Sequence, residues 1–238
     1  MLCLLIVCSS LWSSEYSFVA YDVNADKIVL QEGPNCNVRM APACSFNIAL
    51  SLMGFDSGVL INENVPEWPY ENQPTFWDSQ KADQTPKSWI QLSVFWFSQI
   101  LTPKIGAEKI NEYLAKFNYG NQDMSGGIAC AWLTTLKISP MEQVHFLKKL
   151  VKHELPVSEH ALQMTQNILY TETCGKGWNL FGKTGTTIEG DNVGAWYAGW
   201  IEKEGQFYVF ALNIQLDDGS IPTKAERIEL TKTLLNKI

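Results

Sequence analysis

Pro42-Ala43-Cys44-Ser45-Phe46-Asn47-Ile48 sets a turn of small residues in front of an apolar run that reaches Met53. That run is long enough for a helix, which Gly54 is expected to stop. A cysteine at a helix start has backbone N–H groups aimed at its sulfur, which lowers a thiol pKa and favours the nucleophilic thiolate. The competing reading of Cys44 is a small buried apolar side chain. Far along the chain, Lys183-Thr184-Gly185 follows the apolar segment Trp178–Phe181, which places a lysine and a glycine on a strand.

The rest of the sequence narrows the classes of function. The chain has 238 residues, 46% of them hydrophobic, with 25 Asp and Glu against 18 Lys and Arg. No basic cluster is present to neutralise a run of phosphates, so nucleic acid is not an expected partner. Nine tryptophans and eleven phenylalanines indicate a packed globular chain rather than a disordered one. Met1–Ser10 is a short apolar run ending in small residues, the shape of a secretory leader, although it lacks a basic start. It is too short to span a bilayer as a helix. Removal of residues 1–14 leaves Cys36, Cys44, Cys130 and Cys174, whose spacing does not give a pairing. The three histidines do not combine with them into a metal-ligand spacing, so no metal is expected.

Hydrophobic patterning predicts strands at both ends and helices between. Residues 17–23 and 27–31 read as a hairpin turning at Asn24-Ala25-Asp26. Residues 62–86 are proline-rich and aperiodic, hence mostly loop. Ser88–Leu101 reads as helix closed by Pro103, and Ser139-Pro140-Met141-Glu142 is a capping box opening another. A further helix passes through Leu162, Met164 and Ile168. Residues 194–201 and 206–214 are aromatic and β-branched and form a second hairpin. Pro222 is expected to start a last helix carrying Leu230, Leu234 and Ile238. The class is therefore α+β, with an antiparallel sheet built from both termini and packed against a mainly helical block. No internal repeat or linker divides the chain.

Five short motifs stand in one order: the stretch at Cys44, Ser93-Val94-Phe95, Tyr119-Gly120-Asn121, Trp132-Leu133, and Lys183-Thr184-Gly185. Together they resemble the class D, or oxacillinase-type, β-lactamases of the penicillin-recognising serine hydrolases, from about Ser17 to the C-terminus. The resemblance implies hydrolysis of a β-lactam amide through an acyl-enzyme, and a single domain over residues 15–238. The family pattern is Pro-Ala-Ser-Thr-Phe-Lys-Ile, so Cys44 stands at the nucleophile position and Asn47 at that of the general-base lysine. Ser93 is implied as proton relay, with Phe95 where the family has valine. Lys183 implies positive charge at the site, and Gly185 a close approach of ligand to backbone. The N–H groups of Thr186 and Cys44 imply an oxyanion hole. Trp132 matches the tryptophan that holds a carbamylated lysine, and Arg227 resembles the arginine that grips the ligand carboxylate, with Thr184 beside it.

Asparagine has no amine to carbamylate, so no cofactor is expected at Asn47. A missing general base costs ~10²–10⁴-fold, so hydrolysis is expected to be lost or strongly impaired. Two alternatives remain: a slow β-lactamase acylated on its thiol, and a non-catalytic module binding β-lactam or peptidoglycan-like molecules. Gly177–Thr184 also satisfies G-x-x-x-x-G-K-[ST], but its bulky, strand-like interior does not suit a phosphate loop, and no nucleotide is expected. Cys130, two residues before Trp132, is a candidate disulfide partner for Cys44 in an oxidising compartment. A secreted or periplasmic bacterial protein is the implied setting.

Overall fold

The computed structural model describes residues 16–238, so the leader expected at residues 1–14 lies outside the described residues. A six-stranded antiparallel sheet forms the centre. Its strands are β1 (Tyr16–Asp22), β2 (Lys27–Glu32), β3 (Tyr170–Cys174), β4 (Trp178–Glu189), β5 (Asn192–Lys203) and β6 (Gln206–Leu216), in the order β2-β1-β6-β5-β4-β3. The N-terminal hairpin joins the C-terminal meander through β1 and β6, Phe18 opposite Leu212. The sheet is thus built from both ends of the chain, as its strand-like termini predict.

Among the described residues, seven α-helices cover its two faces. Six fill the middle of the chain: α1 (Asn47–Asp56), α2 (Pro86–Leu92), α3 (Phe95–Ile105), α4 (Ala107–Phe117), α5 (Pro140–Val151) and α6 (Glu159–Leu169). The seventh, α7 (Lys224–Leu235), packs on the other face over Phe210 and Leu212. Residues 47–55 of α1 are all buried, as a helix apolar on every side must be. Among the described residues, no helix is long and apolar enough to cross a membrane.

Several boundaries depart from the sequence reading. Cys44 lies in a 3₁₀ turn, Ala43–Phe46, and the α-helix begins only at Asn47. Gly54 does not stop α1, which runs on to Asp56; the missing side chain instead admits Leu60, whose Cδ1 lies 2.7 Å from where a Cβ would sit. The expected helix Ser88–Leu101 is two helices, broken where Ser93 turns left-handed at φ 52°. Pro103 sits inside the last turn of α3, and Gly106, at φ 92°, ends it. The first residue of α7 is Lys224, not Pro222, because Thr223 takes the cap and closes a capping box with Glu226. Ile238 falls beyond that helix and is exposed, and the buried face is Ile228, Thr231, Leu234 and Leu235.

Candidate functional site

The site forms where the 3₁₀ turn meets the middle of β4. Ala43 is held at φ 49°, a left-handed conformation that costs a residue with a Cβ and recurs at functional sites. Ser45 points inward, donating to the Pro42 carbonyl at 2.7 Å and accepting from Gln143 Nε2 at 3.1 Å. Cys44 is left half-buried beside the strand. Trp196 of β5 ties down the segment before the turn, its indole N–H donating to the Ala41 carbonyl at 2.8 Å.

Gly185 makes the junction possible. A Cβ there would lie 2.6 Å from Pro42 O, 2.8 Å from Ser45 N and 3.0 Å from Cys44 N. The absent side chain therefore admits the chain's own turn, a closer constraint than the approach of a ligand. Because β3 pairs with β4 only from Trp178 to Phe181, residues 182–189 have no strand partner on that side. β4 continues through Lys183 to Glu189, so Gly177–Thr184 does not lead into a helix as a phosphate loop would.

Lys183 is 3% exposed, and its ammonium donates to the Ser93 hydroxyl and, at 2.9 Å, to the Thr184 carbonyl. Burial lowers its pKa to about 8, against a pull upward from Cys44. The Cys44 thiol is itself pushed up by burial, with Lys183 and Arg227 opposing. This reverses the lowering expected from a helix start, because desolvation of the thiolate outweighs the two neighbouring cations. Arg227 is buried, and burial lowers its pKa to about 10. Its Nη1 donates to Gly185 O at 2.7 Å, Thr186 Oγ1 at 3.1 Å and Trp196 O at 3.2 Å. That nitrogen braces β4 and β5, which engages one arm of the fork that a ligand carboxylate would use.

Asn47 is fully buried one turn beyond Cys44. Its side-chain carbonyl accepts from Ser98 Oγ at 3.2 Å, and Ser98 in turn accepts from the Trp89 indole at 2.9 Å. The Asn47 amide nitrogen and the Trp132 indole nitrogen are both buried without a partner. Two unpartnered donors suit an acceptor such as a carbamate, but Asn47 offers no amine to carry one. The residues present do not fit that group.

Contacts join most of the sequence-predicted residues: Lys183 meets Ser93 and the Thr184 carbonyl, the turn at Cys44 abuts Gly185, Arg227 bonds Gly185 and Thr186, and Trp132 stacks on Phe46 beside Asn47 in the chain. Tyr119-Gly120-Asn121 supports the turn from below. Tyr119 packs edge-on against Phe46, and Gly120, at φ 53°, turns where a Cβ would lie 2.0 Å from Lys137 O. Cys36, Cys44, Cys130 and Cys174 are all free thiols, so the suggested Cys44–Cys130 disulfide is not formed. Gln80 and Trp196 escaped sequence reasoning. An isolated glutamine in a loop carries no signal, whereas the adjacent pair Phe76-Trp77 in a polar loop is a readable one.

The family model described as "Penicillin binding protein transpeptidase domain" matches residues 16–238. Beta-lactamase OXA-1 of Escherichia coli is 37% identical over 237 residues, covering 93% of this chain and 85% of the relative. Beta-lactamase OXA-9 of Klebsiella pneumoniae is 38% identical, covering 90% and 86%. The crystal structure of OXA-427, a class D β-lactamase, superposes with a TM-score of 0.86 at 34% identity, covering 93% of this chain and 97% of the other. The chain belongs to the class D β-lactamase family, within the penicillin-binding transpeptidase fold.

Proposed function

We propose that the cleft binds β-lactams as its family does, while turnover is lost or strongly impaired because Cys44 and Asn47 occupy the nucleophile and base positions. The observation that carries this reading is the state of Asn47. It is fully buried, it has no titratable proton, and its carbonyl is engaged by Ser98. Water attacking an acyl-enzyme needs a proton acceptor on that side, and the side chain placed there cannot serve. No covalent cofactor enters this reading, since Asn47 lacks the amine a carbamate requires. The ligand is a β-lactam or peptidoglycan-like molecule, and neither nucleic acid nor a nucleotide is a partner. Export to a bacterial periplasm or the medium is part of the proposal, resting on the leader-like residues 1–14.

A second reading is favoured by one contact set: Lys183, beside Cys44, is depressed to about 8 and bonded to Ser93. A neutral Lys183 takes the thiol proton as sulfur adds to the β-lactam carbonyl. The carbonyl–nitrogen bond breaks, and the proton passes through Ser93 to the ring nitrogen. The product is a thioester carrying the whole ligand mass, a trap rather than a turnover enzyme.

Intact-mass analysis of the reduced protein with excess benzylpenicillin tests both. Saturable reversible binding with no adduct and no substrate loss supports the first reading. An adduct absent from Cys44→Ala supports the second, and rapid substrate loss by the parent protein overturns both.

A further inference from the structure

A cavity of about 230 Å³ lies beside the outer edge of β4. It exists because β3 begins only at Tyr170, opposite Phe181, and leaves Gly182, Lys183 and Thr184 without a strand partner on that side. Its walls are the end of α2, the start of β3 and the start of α7. Cys44, Ser93, Thr186 and Arg227 do not line it, so it is not the groove at the thiol, although Lys183 and Thr184 border both. The volume is below the ~300–1,000 Å³ of pockets that hold larger organic ligands, and suits a small ion with its waters.

The polar side chains around this cavity are donors in excess. Lys183 commits two of its three N–H groups, to Ser93 and to the Thr184 carbonyl. Lys224, at the surface, makes one long bond, 3.5 Å to the Gln91 carbonyl. Tyr197 is 1% exposed, and its hydroxyl lies beside Thr171 without completing a hydrogen bond. Its ring reaches the cavity because Gly182 has no side chain: a Cβ there would lie 2.8 Å from Tyr197 Cε2. Among the described residues, neither lysine has an ion-pair partner. Glu172, the carboxylate whose charge reaches Tyr197, is taken by Lys232 at 2.7 Å. Glu226 is taken by the cap at Thr223. Burial, with repulsion from Arg227 behind it, holds both lysines below their ordinary pKa. Lys224 is also the first residue of α7, whose N-terminus adds partial positive charge. Donors arriving from β4, β5 and α7 suit an ion that carries several acceptor oxygens.

We propose that this cavity binds a small oxyanion, inorganic phosphate being the simplest, between the ammonium groups of Lys183 and Lys224, with the Tyr197 hydroxyl donating from within. The bound ion favours the ammonium form of Lys183, so the site sets the charge presented toward Cys44. It stands whether or not a β-lactam binds in the groove. The test is calorimetric titration of phosphate into the reduced protein, with sodium chloride holding ionic strength constant so that screening does not vary. Lys224→Gln and Tyr197→Phe are titrated alongside, and thermal midpoints check folding. Tyr197→Phe keeps the ring and removes only an unpartnered hydroxyl, and Lys224 lies at the surface, so both variants are expected to fold. Each is expected to weaken phosphate about tenfold, because each removes a donor to a charged acceptor. Saturable binding by the parent, weakened in both variants, supports the site. Unchanged affinity in either folded variant overturns it and places the ion elsewhere, and so does the absence of saturable binding by the parent.

Discussion

The Asn47 side chain accepts the Ser98 hydroxyl at 3.2 Å while its amide nitrogen, buried behind Cys44, has no partner. The asparagine is half satisfied: its acceptor is engaged in the core and its donor faces no acceptor. A buried donor without a partner costs about 1–3 kcal/mol, so this position does not contribute the stability that a fitted polar residue would. A lysine here would place an amine in the same space, and the Trp132 indole, stacked on the preceding residue Phe46, also lacks a partner. The double variant Cys44→Ser/Asn47→Lys, assayed with added bicarbonate, is therefore expected to hydrolyse benzylpenicillin at least ~10²-fold faster than the parent. Either single variant is expected to remain slow. No gain in the folded double variant would show that the site has changed beyond these two residues.

Trp132 supplies a second check on the same space. Replacing the buried indole by a phenyl ring removes an unpartnered donor, which relieves a desolvation cost, and leaves a small cavity that works the other way. Trp132→Phe is expected to shift unfolding free energy by less than about 1 kcal/mol, as read from urea denaturation. A loss of 3 kcal/mol or more, the cost of truncating a satisfied group within a packed core, would mean that the indole has an acceptor in solution.

Gly185 governs how the turn and the strand meet. A methyl group there would stand 2.6 Å from Pro42 O and 2.8 Å from Ser45 N, both backbone atoms that cannot swing aside. Gly185→Ala is expected to destabilise the protein by about 1–3 kcal/mol and to displace Cys44 from β4. Thermal denaturation reads the first effect, and the rate of Cys44 modification by a thiol reagent reads the second. An alanine variant with the parent's midpoint and thiol rate would mean that the turn is not seated as described.

The two hairpins and the capping box at Ser139 were legible because their causes are local. Turn residues, alternating side chains and a cap followed three residues later by glutamate all lie within a few positions of one another. The convergence of Cys44, Ser93, Lys183 and Arg227 was legible only through the resemblance, since no local rule brings residues so far apart together. The break at Ser93 was hidden by a run of apolar residues on both sides. Helix α4, with Ile110, Tyr113, Leu114 and Phe117 buried, carries a helical spacing that the broad reading of a helical middle covers without placing it. The direction of the Cys44 shift depends on how deeply the thiol and its cationic neighbours sit, which sequence spacing does not contain. Arg227 shows the same limit, its Nη1 being engaged by carbonyls and a hydroxyl that only the fold brings near.

The pH dependence of thiol acylation separates the roles of Lys183 and Cys44. Burial lowers Lys183 from its ordinary 10.5 to about 8, so its neutral, proton-accepting form grows as pH rises through that value. The Cys44 thiol is raised above its ordinary value of 9.0, so its free thiolate becomes appreciable only at higher pH. If the neutral lysine takes the thiol proton, adduct formation rises about tenfold per pH unit below 8 and levels off above it. If acylation waits on spontaneous loss of the thiol proton, the rate keeps climbing past pH 9. Lys183→Arg keeps the positive charge but, with a guanidinium that stays protonated, removes the base. It is expected to abolish the inflection near 8 and to slow the adduct by ~10²-fold or more at pH 8. An unchanged profile in Lys183→Arg would assign the proton to solvent and leave Lys183 a binding charge alone.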